Sequence, residues 1–97
     1  MEIDTLRQQA RELTQNFYDA IVTGLHQPPD FYKMLWIVHW AVEFYGQKKT
    51  REVLEEIMLE PDFDPVTAPL FLRDALLKQQ PQQDILGRWF EKALKSS

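Results

Sequence analysis

His26 and His39 supply all the imidazole of the chain, and they fall on different elements, so no helical turn presents a histidine pair to a metal ion. A site built on both would need them to converge in three dimensions beside carboxylates, and no metal or other cofactor is expected. His39, between Val38 and Trp40, has two readings. It is a buried histidine hydrogen-bonded through one ring nitrogen, or a pH-sensitive or ligand-contacting group against an aromatic wall. A catalytic version of the second reading would make His39 or Glu43 the titrating group of an apolar site.

Six acids, Glu52, Glu55, Glu56, Glu60, Asp62 and Asp64, crowd one short stretch. They fall on the polar side of a short helix and in a loop, whereas general acid-base work needs one buried carboxyl with a raised pKa, so a solvated acidic face is expected. Lys48, Lys49 and Arg51 precede them, which sets positive charge at the start of that helix and negative charge at its end. The helix dipole disfavours that order, as it would if the charges were placed for a partner. The threonines lack any activating pattern, the serines are Ser96 and Ser97, and no glycine sits in a phosphate-binding motif. Neither nucleophilic catalysis nor nucleotide binding has support, and no enzyme is expected.

Trp36 and Trp40 lie one helical turn apart, with Lys33 and Glu43 bracketing the same face and Tyr32 and Phe44 near its edges. Large aromatic side chains with two torsions give much contact area at small entropic cost, which suits a binding surface. The competing account is an intramolecular core, since four other helices can cover one apolar helix.

The elements that must position these groups are read from apolar spacing. Ile3, Leu6, Ala10, Leu13, Phe17, Ala20 and Gly24 form one seam of a first helix over about residues 3–24, widened near its end by Tyr18, Ile21, Val22 and Leu25. Gly24 and the pair Pro28-Pro29 end it. Asp30 caps a second helix over about 29–45, apolar around most of its circumference, which should be buried on nearly all sides as the centre of the core. Gly46 closes it, and residues 47–50 read as a polar connection to a short third helix carrying Val53, Leu54, Ile57 and Met58.

Phe63 should drop into the core from the loop at 60–65. A fourth helix begins near Pro65 or Thr67, with Pro69 in its first turn and Leu70, Phe71, Leu72, Ala75, Leu76 and Leu77 inward, and ends at Gln79-Gln80 before Pro81. The fifth helix is amphipathic, with Ile85, Leu86, Trp89, Phe90, Ala93 and Leu94 on its buried stripe, Asp84 in its first turn and Lys92 and Lys95 in its last. Pro-Asp-Phe recurs at 29–31 and 61–63 and reads as helix-start chemistry used twice.

Ninety-seven residues, of which 44 % are hydrophobic, suit one all-α domain of four or five short helices without a sheet, and no alternating β-branched run argues otherwise. A net charge of −4 leaves no electrostatic footprint for nucleic acid. The absence of cysteine removes disulfides, thiolate metal sites and thiol catalysis, and agrees with a reducing compartment. Met1-Glu2-Ile3-Asp4 lacks the layout of a signal peptide and no long apolar run occurs, so neither a leader nor a membrane span is expected. The expectation is a cytoplasmic protein-protein interaction module, an adaptor, assembly factor or inhibitor, forming a homodimer or meeting another protein. Its contact residues would be Lys33, Trp36, Trp40, Glu43, Lys48, Lys49 and Arg51. The alternative is a binding domain for an apolar or aromatic small molecule in an interhelical pocket lined by Trp36, His39, Trp40 and Phe44.

Overall fold

A computed structural model describes residues 3–79 and 84–95. Five α-helices follow one another: α1 (Ile3–Ile21), α2 (Phe31–Tyr45), α3 (Gln47–Leu59), α4 (Ala68–Gln79) and α5 (Asp84–Lys95), with a 3₁₀ turn (Pro65–Thr67) leading into α4. The protein is all-α, with no strand among the described residues. The side chains of Ile3 and Asp84, together with Gln80, Pro81, Ser96 and Ser97, lie outside the described residues.

Helix boundaries follow local hydrogen-bond chemistry. The side chain of Asp30 accepts from the backbone amides of Tyr32 (2.9 Å) and Lys33 (3.2 Å), so the expected cap of α2 is in place. Its counterpart fails: in the second Pro-Asp-Phe, the amide of Phe63 turns back to the carbonyl of Glu60, and it is Asp64 that caps the 3₁₀ turn through the amide of Val66. α1 ends at Ile21, short of the expected residue 24, because Leu25 donates to the carbonyl of Val22 and Gly24 takes a φ of 83° in that turn.

The expected connection at 47–50 is instead the first turn of α3. Gly46 alone joins the two helices: its amide closes α2 on the carbonyl of Val42, and the amide and hydroxyl of Thr50 donate to its own carbonyl. A φ of 90° with ψ of 162° makes this hinge a glycine position. Thr50 is buried, so the polar run 47–49 is the solvent side of a helical turn.

α2 packs against α1, α3, α4 and α5, which gives it the central place the sequence predicts. It does so with one face. Met34, Ile37, Val38, Ala41 and Val42 are its buried residues, so the expectation of burial on nearly all sides is corrected: apolar character exceeds what four neighbours cover. In α1 the buried seam runs through Ala10, Leu13, Thr14, Phe17 and Ile21, and leaves Ala20 and Gly24 exposed. A four-residue step from Phe17 keeps the larger side chain inside. Met58, Leu70 and Ile85 are also exposed, contrary to their assignment to buried stripes.

Leu86, Phe90 and Ala93 bury the inner stripe of α5 against α2 and α4, while Pro69 lies in the first turn of α4 as expected and is buried there. Phe63 is half-buried, its ring 6.1 Å from Phe17 and 5.3 Å from Phe71. Two tyrosine hydroxyls tie elements together: Tyr18 of α1 donates to the carbonyl of Pro29 in the loop before α2, and Tyr45 of α2 to that of Leu76 in α4.

Candidate functional site

The helical period that turns Met34, Ile37, Val38, Ala41 and Val42 inward sets Trp36, Trp40 and Phe44 in a line along the flank of α2, beside its buried face. α5 packs alongside and brings Trp89 to them. The rings form one row. Trp36 stacks at 6.2 Å from Trp40 with planes 27° apart, Trp40 lies 4.4 Å from Trp89, and Trp89 stacks at 5.3 Å on Phe44. Trp36 is 47 % and Phe44 39 % exposed, while Trp40 and Trp89 are half-buried. Trp89 is therefore less buried than its stripe suggested: it packs on the edge of the core and against Trp40 and Phe44, and Phe90 fills the interior.

Basic side chains flank the row on both sides. Arg7 and Arg11, one turn apart on α1, line an open depression of about 330 Å³ with Leu35, Trp36 and His39. Lys92 lines a second depression of about 340 Å³ with Trp36, Trp40, Trp89 and Ala93. Neither Arg7 nor Arg11 takes part in an ion pair or a side-chain hydrogen bond among the described residues. The expected pocket is thus divided: Trp36 and His39 share one depression, Trp40 belongs to the other, and Phe44 lines neither.

His39 is half-buried, its ring edge-on to both Trp40 (5.0 Å) and Trp36 (5.6 Å). Burial holds its pKa below the ordinary 6.5, Glu43 pulls against that and Arg7 adds to it. The imidazole is therefore neutral at pH 7, and its faces extend the aromatic surface.

Of the other predicted contact residues, Lys33 is half-buried near the start of α2 and Glu43 is exposed on it. Lys48, Lys49 and Arg51 are exposed on α3, away from the α5 side of the row. Arg51 lines a different groove, with Leu13, Phe17, Leu54, Glu55 and Met58 among its neighbours. The structure brings Trp36 and Trp40 together and leaves Arg51 on another surface.

Arg7 and Arg11 had no role in the sequence reading, and Lys92 entered it only as a cation in the last turn of α5. Their signal was present as cations off the buried seams of α1 and α5, but only packing shows that both helices flank α2. No group of three or more histidine, cysteine, aspartate or glutamate side chains able to hold a metal occurs among the described residues, and no helix there is long and apolar enough to cross a membrane. No protein-family model, curated protein or solved structure matches the chain.

Proposed function

We propose that this protein is a non-catalytic, cytosolic protein-protein interaction module that docks a partner on the row Trp36, Trp40, Trp89 and Phe44. The observation that carries the reading is the continuity of these rings on the outside of the core's central helix. An outward row of stacked aromatics is costly to leave in water and resembles the anchor cluster of a protein interface. The basic flanks fit a rim that attracts an acidic partner and sets its orientation. Stacking also fixes the rings before binding, which lowers the entropic cost of docking.

A photo-crosslinking phenylalanine analogue placed at position 36, with position 20 as an exposed control away from the row, tests this in cells of the native source. A protein crosslinked from 36 and not from 20 is the expected result. A folded variant that crosslinks no protein from position 36 contradicts the reading.

The small-molecule alternative has one observation in its favour, the depression between Arg7, Arg11, Leu35, Trp36 and His39, whose size is at the low end for a ligand site. A ligand there would engage Trp36 and His39 without needing Trp89 or Phe44. Loss of binding in Phe44→Ala therefore favours docking of a protein.

A further inference from the structure

Away from the aromatic row, at the end of α3, a second apolar feature stands in water. Leu59 is 83 % exposed and Met58 39 %. Glu55 and Glu56 lie one helical turn before Leu59, and Glu60 follows it directly. Glu56, Glu60, Asp62 and Asp74 share an adjoining depression in which Lys78 is the basic residue. None of Glu55, Glu56 and Glu60 is in an ion pair or a side-chain hydrogen bond among the described residues. The tip is an aliphatic knob flanked by acids that are unpaired among the described residues.

The row is its chemical complement: exposed aromatic area flanked by Arg7, Arg11 and Lys92, with Glu43 close enough to act on His39. Row and tip line separate depressions of the one chain. The row belongs to α2 and α5, whereas α3 packs on α1, α2 and α4, and the depressions beside the row share no lining residue with those beside the tip.

We propose that a second copy of this chain occupies the row, seating its Met58-Leu59 tip on Trp36 and Trp40 with Glu55, Glu56 and Glu60 facing Arg7, Arg11 and Lys92. The proposal rests on the reading of the row as a docking face and names its occupant. A two-fold pairing of row on row would set basic flanks against basic flanks, and like charges across an interface oppose association. Head-to-tail pairing joins opposite charges, and it leaves each pair with one free row and one free tip, so assembly continues to a ring or an open chain.

Sedimentation of the full chain across micromolar to millimolar concentration tests this, beside two variants checked for helical content. The tip variant is Leu59→Lys, at a site too exposed to matter for folding. The row variant is Trp36→Ala/Arg11→Ala. The parent's average mass should rise with concentration and fall back when salt is added, and each variant alone should stay monomeric. Mixed in equal amounts, the two should form a one-to-one complex that grows no further, because only one intact row and one intact tip remain. Should the row variant melt, Leu59→Lys alone decides.

A parent that stays monomeric throughout, association that survives Leu59→Lys, or a mixture without complex overturns the proposal. If the parent stays monomeric while position 36 crosslinks a different protein, the head-to-tail pairing fails and the docking reading stands. If position 36 crosslinks no protein, the docking reading itself fails.

Discussion

The inner face of α2 and its aromatic flank differ in side-chain type and in burial. Inward, Met34, Ile37, Val38, Ala41 and Val42 are aliphatic, compact and buried against four helices. Outward, Trp36, Trp40 and Phe44 are aromatic and stack with Trp89 in view of solvent. Hydrophobicity alone does not separate a core from a docking face. Exposure does: Phe17 and Phe90 show that rings also fill this interior, while flat rings left partly in water lose little freedom if a partner covers them.

Neighbouring residues on α5 give the largest effect that would break this contrast. Phe90 is fully buried and Trp89 leans into the row. Phe90→Ala should cost about 3–5 kcal/mol in urea unfolding, whereas Trp89→Ala, which forfeits stacking on Trp40 and Phe44, should cost about 1–3 kcal/mol. Equal losses would place Trp89 in the core and erase the distinction.

Gly46 alone joins α2, which carries most of the row, to α3. Gly46→Ala has open space for its Cβ but must adopt a φ of 90°. The strain should lower stability by about 1–3 kcal/mol. A melting temperature equal to the parent's would show that the joint between α2 and α3 relaxes freely.

The helix count, the Asp30 cap, the place of α2 at the centre and the inner stripe of Leu86, Phe90 and Ala93 were legible in the sequence, because each depends on spacing within one segment. Which side of α2 stays outside was not legible, since both of its faces are apolar. The flanking of Trp36 by Arg7 and Arg11 depends on how α1 lies against α2, which no local pattern encodes. The start of α3 was misread for a related reason: Gln47-Lys48-Lys49 looks like a linker until Thr50, buried with its hydroxyl on the carbonyl of Gly46, shows that only one side of that turn is polar.

His39 sharpens the comparison through pH. Its folded pKa lies below the 6.5 of an unperturbed histidine, chiefly through burial, so the unfolded chain takes up the proton more readily. This residue's contribution to stability is whole at neutral pH and is lost as pH falls through 6.5 toward the folded value. His39→Gln should flatten that part of the pH profile of the melting temperature. An unchanged slope would mean that the imidazole is no more shielded in the folded state than in the unfolded one.

The smallest effect belongs to α3, whose exposed Lys48 and Lys49 stand at the positive end of its dipole. Lys48→Glu/Lys49→Glu should raise stability by about 0.5 kcal/mol, read as a small upward shift in melting temperature. A fall would show that these lysines make contacts that stabilise the fold.

The claim that α2 keeps one face for folding and the other for a partner is tested most directly by urea unfolding of Trp36→Ala/Phe44→Ala, followed by circular dichroism at a concentration where the chain is monomeric. With both rings partly in water already, the double variant should remain cooperative and lose no more than about 1–2 kcal/mol. A loss as large as that of Phe90→Ala would show that the outer rings belong to the core, and the account of a two-faced central helix would be wrong.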